Sequence, residues 1–226
     1  MPIMLQPDVH DTLVAFVYGG DIWTVNANGG VARKITFHDG EESYPKFSPA
    51  GNLIAFNGYY DGNNDVYVMN VYGGDITRVT YHPGSDAVVG WHPVKNKIIF
   101  RSRRFSPNTA YRLYQVSPDG SGLEDLPIHE IYFGTFSDDG NEIVYTQVGR
   151  EERNWKRYYG GTSEDLFHYD FETKELNQLT DFKGSDRFPL WIGDKVYFNS
   201  DRSYRLNIHS YDLNSGKVEQ VTNHSE

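Results

Sequence analysis

Four short signals recur in a fixed order along this chain, at a spacing of about 45 residues, and a repeat of that length decides the fold before any single residue does. The first is an aromatic beside a turn: Phe47 in Tyr44-Pro45-Lys46-Phe47-Ser48-Pro49, Trp91 in Gly90-Trp91-His92-Pro93, Phe136 before Ser137-Asp138-Asp139-Gly140, and Trp191 after Pro189-Leu190. The second is a β run ending in an aromatic: Val14-Ala15-Phe16, Ile54-Ala55-Phe56, Ile98-Ile99-Phe100, Ile143-Val144-Tyr145 and Val196-Tyr197-Phe198. The third is an alternating strand, as in Asp21-Ile22-Trp23, Asp65-Val66-Tyr67-Val68, Arg112-Leu113-Tyr114, Asp165-Leu166-Phe167 and Asn207-Ile208-His209. The fourth is a strand ending near Thr: Lys34-Ile35-Thr36, Arg78-Val79-Thr80, Gln178-Leu179-Thr180 and Gln220-Val221-Thr222, with Asp125-Leu126-Pro127 in that place in the third copy.

Turn residues separate the signals, among them Gly73-Gly74-Asp75, Pro118-Asp119-Gly120 and Asp139-Gly140-Asn141. Asp-Gly and Gly-Gly supply the positive φ that tight hairpins need. Four short strands joined by hairpins make one antiparallel blade, which cannot bury both faces alone, so copies must pack on one another. The reading is an all-β chain: a β-propeller of five four-stranded antiparallel blades, forming one domain over residues 1–226. The blades fall at about 1–42, 43–86, 87–130, 131–186 and 187–226. The first strand of the first blade is expected at Leu5 to His10. A β-sandwich also has regular short strands, but a four-signal period argues against it. The five blades are expected to close as a monomeric ring. An open arrangement would instead expose apolar faces on blades one and five and favour self-association there.

Composition agrees. Aromatics make up 15% of the 226 residues, which suits half-buried pleated surfaces. The formal net charge of −10 argues against a nucleic-acid partner, since phosphate contacts need a basic surface. There is no Cys, so a thiolate metal site and a disulfide framework are both excluded. The start, Met1 to Phe16, has no basic region, apolar core and cleavage site of a signal peptide. No apolar run reaches the roughly 18 residues of a membrane span. A cytoplasmic protein without a membrane partner is expected.

The blade pattern Asp61-Gly62-Asn63-Asn64-Asp65-Val66-Tyr67-Val68-Met69, followed by Gly73-Gly74 and Arg78-Val79-Thr80, resembles the propeller repeats shared by the TolB protein and the tricorn protease family. The opening Gln6-Pro7-Asp8-Val9-His10 is similar to the start of the first tricorn propeller. The stretch Asn154-Trp155-Lys156-Arg157-Tyr158-Tyr159-Gly160-Gly161-Thr162 is similar to a characteristic tricorn insertion. The resemblance implies the N-terminal propeller of a large cytosolic serine peptidase that trims oligopeptides. It also implies six blades, of which this chain holds five, and a non-catalytic role as a passage or filter. The catalytic Ser, His and Glu of the family lie in C-terminal domains, so no catalytic residue carries over.

The residues themselves offer no catalytic constellation. There is no G-x-S-x-G elbow, Walker loop or G-x-G-x-x-G. Pro118-Asp119-Gly120-Ser121-Gly122 is glycine-rich but sits where a hairpin turn belongs. The eight His lack zinc-site spacing, and His38 and His82, at equivalent blade exits, read as structural hydrogen-bonding residues. Asp61-Gly62-Asn63-Asn64-Asp65 has calcium-like oxygen spacing but lacks the bidentate Glu of an EF-hand and is the ordinary loop of the repeat. Neither a metal nor a cofactor is expected. Trp23, Trp91 and Trp191 are expected to pack blade against blade.

One asymmetry points to function. The loops after the second strands hold Arg101, Arg103 and Arg104 in blade three, Arg150, Arg153, Lys156 and Arg157 in blade four, and Arg202 and Arg205 in blade five. These are nine of the 21 Lys and Arg. Tyr59, Tyr60, Tyr158 and Tyr159 share that class of loop. Paired with Glu151, Glu152 and Asp201 they would make a solvated rim; converging, they would hold a carboxylate of a peptide or of a neighbouring domain. The candidate binding residues are Arg104, Arg153, Lys156 and Arg157, with Trp155 and Tyr159 as apolar support. Two other classes stand beside this one: a stand-alone TolB-like scaffold for protein partners, and a propeller enzyme such as a lactonase or glycosidase, which would need axial carboxylates or a metal.

Overall fold

The structure, a computed structural model, describes residues 3–106, 110–149, 158 and 160–224. Among the described residues, twenty strands make five four-stranded antiparallel sheets. In each sheet the four strands are hydrogen-bonded in chain order, as a meander. Blade one holds β1 (Leu5–His10), β2 (Leu13–Tyr18), β3 (Asp21–Asn26) and β4 (Arg33–Lys34). Blade two holds β5 (Glu42–Phe47), β6 (Leu53–Tyr59), β7 (Asn64–Asn70) and β8 (Thr77–Arg78). Blade three holds β9 (Asp86–Trp91), β10 (Ile98–Ser102), β11 (Arg112–Val116) and β12 (Glu124–Asp125). Blade four holds β13 (Phe133–Phe136), β14 (Glu142–Thr146), β15 (Leu166–Asp170) and β16 (Leu176–Gln178); blade five holds β17 (Asp186–Ile192), β18 (Lys195–Ser200), β19 (Asn207–Asp212) and β20 (Val218–Gln220). The all-β, five-blade reading of the sequence therefore holds, and β1 runs where the sequence places it.

The chain divides into two compact units, Met1–His129 with blades one to three and Glu130–Glu226 with blades four and five. In the first unit the blades are joined by apolar clusters. Ala15 and Ile22 of blade one pack with Phe47, Ile54, Phe56 and Met69 of blade two. Val66, Val68 and Val79 of blade two pack with Trp91, Phe100 and Val116 of blade three. In the second unit Val144 and Leu166 of blade four pack with Val196 and Phe198 of blade five. The middle strands read as unbroken apolar runs because both their faces are covered, as in Ile98, Ile99 and Phe100, none of which solvent reaches.

The second signal of the repeat has a structural cause. Its closing aromatic stands directly opposite an aromatic ring of the third strand in every blade: Phe16 with Trp23, Phe56 with Tyr67, Phe100 with Tyr114, Tyr145 with Phe167 and Phe198 with His209. Such cross-strand pairs fix the register of a sheet. The first strands of blades one, two, three and five instead carry bulges. Gln6, Tyr44 and Phe188 each hold a positive φ and each precedes a proline, Pro7, Pro45 and Pro189. The ladder skips these residues, so the missing N–H of proline leaves no partner unmatched.

Candidate functional site

Three of the blade boundaries are built to one plan. The Thr after the fourth strand accepts the N–H that opens the third strand of its own blade: Thr36 from Ile22 at 2.8 Å, Thr80 from Val66 at 3.0 Å and Thr180 from Leu166 at 3.0 Å. Six residues after each Thr comes the carboxylate that opens the next blade, Glu42, Asp86 or Asp186. Thr36 donates its hydroxyl to Glu42 at 2.6 Å. Between them, the N–H of Gly40 and of Gly84 donates to Nδ1 of His38 and of His82, both at 2.9 Å. These two imidazoles thus serve as turn acceptors, the structural role expected of them.

The residue two beyond the strand position facing each carboxylate completes the plan. It is Tyr60 in blade two, Arg104 in blade three and Arg202 in blade five. Asp86 and Asp186 are wholly buried. Arg104 donates to Asp86, and Arg202 donates to Asp186 at 2.6 Å. Ser102 and Ser200 each accept both the backbone N–H and the Nε of their arginine. The guanidinium groups lie on aromatic faces, Arg104 over Phe100 at 5.1 Å and Arg202 over Phe182 at 5.1 Å. In blade two the phenol of Tyr60 donates to Glu42 at 2.8 Å instead. Burial pushes the carboxyls of Asp86, Asp186 and Glu42 above the ordinary carboxylate range, while their hydroxyl and arginine neighbours pull them back.

These contacts place the residues singled out from the sequence. Arg104 is only 6% exposed and its charge is taken by Asp86, eighteen positions away, not by a neighbour within the loop. Arg202 is taken by Asp186 in the same way, and Asp201 accepts the N–H of Ser185. Arg101 belongs to β10 and not to the loop after it, and it is buried beneath two rings, Tyr44 at 5.7 Å and Tyr111 at 5.3 Å. Arg103 is exposed and lies over Tyr111 at 4.3 Å. Arg153, Trp155, Lys156, Arg157 and Tyr159 lie outside the described residues, as does Arg150. Trp91 is buried between blades two and three, as expected. Trp23 is half-buried, and its indole donates to the carbonyl of Tyr18 in its own blade at 3.1 Å. The calcium-like loop holds a cation of a different kind, since Asp61 and Asp65 both accept from Arg78, at 3.1 and 2.6 Å.

That last contact recurs as a pair between the start of the third strand and the fourth strand. Asp21 takes Lys34 at 2.7 Å and Asp65 takes Arg78; blade three reverses the charges, with Arg112 on Asp125 at 2.5 Å. Blade four carries only half of it. Asp165 faces Gln178, which is 3.4 Å away and gives a shorter bond, 2.8 Å, to the carbonyl of Thr180. Burial, and then the charges of Asp186 and Asp181, push the Asp165 carboxyl up to about 6.

Comparison with known proteins decides what this architecture is. The model of the tricorn protease N-terminal beta propeller domain matches residues 1–226, the whole chain. The chain belongs to that family. A tricorn protease homolog of Saccharolobus solfataricus is 27% identical over 225 residues, covering 98% of this propeller and 21% of that protein. The crystal structure of the tricorn protease superposes with a TM-score of 0.88 at 26% identity, over 100% of this propeller and 23% of that chain. TolB from Acinetobacter baumannii superposes with a TM-score of 0.71 at 21% identity, over 96% of this propeller and 53% of its own chain, which shows a shared fold alone. The tricorn-type propeller thus spans about a fifth of the curated relative it matches.

The sequence reading takes in only half of the Thr-to-carboxylate plan: the Thr of the fourth signal, without the Gly four residues on or the acid six residues on. The signal was there in Thr36…Gly40…Glu42, Thr80…Gly84…Asp86 and Thr180…Gly184…Asp186. Among the described residues no helix is long and apolar enough to cross a membrane.

Proposed function

We propose that this propeller is a non-catalytic module of a larger, cytoplasmic serine peptidase of the tricorn kind. In this reading it guides peptides to or from a distant active site, or docks the domains that do the chemistry. The full-length match to the tricorn propeller family, by a chain about a fifth as long as its relative, carries the reading. The binding surface would be the loops after the second strands. Arg104, fixed to Asp86, would hold the base of the blade-three loop and leave Arg103 exposed above Tyr111. Arg153, Lys156 and Arg157, with Trp155 and Tyr159, would meet a carboxylate through paired hydrogen bonds and cover the peptide backbone.

The test is a joint charge reversal, Arg153→Glu, Lys156→Glu and Arg157→Glu, in the complete peptidase. Peptide turnover or domain docking should fall while the melting temperature of the propeller stays within about a degree. Unchanged turnover and docking would reduce these loops to a solvated rim. The propeller alone should not cleave short fluorogenic peptides; reproducible cleavage by the pure chain would overturn the non-catalytic assignment.

The reading extends to assembly. Leu5 and Val9 of blade one are 52% and 62% exposed, and Leu190 and Ile192 of blade five 54% and 56%. Against the closed monomeric ring expected from the sequence stands an open arrangement, in which copies of the chain would meet through these apolar residues. Concentration-dependent sedimentation that Ile192→Asp abolishes would support this, and a monomer at all concentrations would refute it.

A further inference from the structure

The three boundaries built to one plan differ in what fills the space beside the His or Phe that follows the Thr. At the first, the Tyr60 ring stacks on His38 with centroids 3.7 Å apart. At the boundary of blades four and five, the Arg202 guanidinium lies 5.1 Å from the Phe182 ring. At the boundary of blades two and three, Arg104 stands where Tyr60 does and, like Tyr60, reaches the carboxylate, but it brings a guanidinium over Phe100 and Tyr114 in place of the ring that stacks on His38. The ring contact recorded for His82 is a tilted one with Phe105 at 6.2 Å. A cavity of about 320 Å³ lies there, lined by His82, Arg104, Tyr81, Val79, Val116 and Leu123, with Thr80 and Gly120.

The backbone around this space is the same as where it is filled. Gly73 and Gly120 are equivalent turn residues, both with positive φ, and each lies so close to the preceding blade that a Cβ would come within 3.2 Å of a carbonyl, that of Ile35 or of Val79. The side chains differ. Met69, in the register position of Val116, fills its place against Ile35. Val116 is shorter by the length of a thioether arm. Two vacated volumes thus adjoin, that of a stacked ring and that of an unbranched apolar chain.

We infer that this cavity is a binding pocket for one aromatic side chain of a peptide. The ring would lie on His82 as Tyr60 lies on His38, with its electron-rich face toward the Arg104 guanidinium and its edge against Val79, Val116 and Leu123. Arg104 is buried and held by Asp86 and Ser102, so it is already oriented before a ring arrives. Its charge favours an aromatic over an aliphatic occupant of equal size. The Tyr81 ring, 72% exposed on top of Arg78, forms one lip and would shield the entering chain from water. The inference rests on the peptide-handling reading but names a different site.

The test is titration of the 226-residue chain with N-acetyl-tyrosinamide and, in parallel, N-acetyl-leucinamide, followed by NMR of the Val79, Val116 and Leu123 methyls and the His82 imidazole. The tyrosine probe should give saturable shifts at these groups with a Kd on the order of 1 mM, the affinity a fragment of that size can reach. The leucine probe should bind at least about fivefold more weakly. Val116→Met, which restores the residue of the first boundary, should weaken binding about tenfold or more with the fold intact. Leu123→Ser, at the half-exposed wall, should weaken it without a packing change. Absence of saturable shifts, equal binding of the two probes, or binding untouched by both substitutions would overturn the pocket. The charge-reversed insertion should leave probe binding unchanged. Probe binding with turnover insensitive to that reversal would sink the basic-loop reading alone, and the opposite pair of results would sink the pocket alone.

Discussion

Arg202 donates to Asp186 at 2.6 Å, and that carboxylate is wholly hidden from solvent. The pair joins the second strand of blade five to the start of its first strand, beside Thr180 of blade four. Removing one member of a buried pair leaves the other charge uncompensated. Arg202→Met should therefore cost about 3 kcal/mol at pH 7.5 in a urea melt. Burial already holds the Asp186 carboxyl above its ordinary range, so the variant can recover by taking up a proton. The cost should shrink as the pH falls toward 5. A loss that is the same at both pH values, or below about 1 kcal/mol, would show that the pair is not the anchor described.

Asp165 gives the pH dependence of blade four. Its folded-state value of about 6 lies above the ordinary carboxylate value of about 3.9, because burial and then Asp186 and Asp181 oppose its charge. The fold thus binds this proton more tightly than the unfolded chain does. Its contribution is fully present below about pH 4 and is lost as the pH rises through 6. Raising the pH from 5 to 7.5 should lower the melting temperature, and Asp165→Asn should flatten that part of the slope. Gln178→Arg should stabilise at pH 7.5 by supplying the cation that Arg78 gives Asp65. A slope unchanged in Asp165→Asn would rule this group out.

The two tryptophans of the first repeat signal should not behave alike. Trp91 is 8% exposed, sits in the cluster between blades two and three, and donates to the carbonyl of Lys46 at 2.9 Å. Trp191 is half-buried, and its indole donates to Gly193 two residues on. Trp91→Ala should cost about 3–5 kcal/mol, and Trp191→Ala about 1–2 kcal/mol. The reverse order in denaturant melts would contradict the packing.

The repeat was legible because its signals are the contacts that make a blade. Phe100 and Tyr114 face each other across the middle strands, so selection for register writes them at a constant spacing. The electrostatics were not legible. In sequence nothing marks Asp86, eighteen positions back, as the partner of Arg104; only the pairing of β9 with β10 in the same blade brings the two together. An arginine held under two rings looks like any solvated one in sequence, which is why Arg101 reads as a loop residue.

The Thr that follows the fourth strand in four of the blades provides an internal series for the boundary plan. Thr36, Thr80 and Thr180 are all at most 6% exposed, and each satisfies a strand N–H; each hydroxyl also supports the carboxylate of the next blade, Glu42, Asp86 or Asp186, and that of Thr80 reaches Asp65 of its own blade as well, at 3.3 Å. Thr222 also accepts a strand N–H, that of Ile208 at 2.9 Å, but its hydroxyl turns to Asn207 of its own blade and it is half-exposed. Valine keeps the shape and removes the hydroxyl, so each substitution tests the hydrogen bonds alone. A buried N–H left without an acceptor costs about 1–3 kcal/mol, and loss of a donor to a buried carboxylate adds to it. Thr36→Val, Thr80→Val and Thr180→Val should each cost about 2–3 kcal/mol, while Thr222→Val, where water reaches the N–H, should cost less than about 1 kcal/mol. Amide exchange should localise the effect: the N–H of Ile22, Val66 or Leu166 should exchange faster in the matching variant and not in the others. Equal costs at all four positions would mean that the Thr serves its own blade only, and the boundary carboxylates would then be held by Arg104, Arg202 and Tyr60 alone.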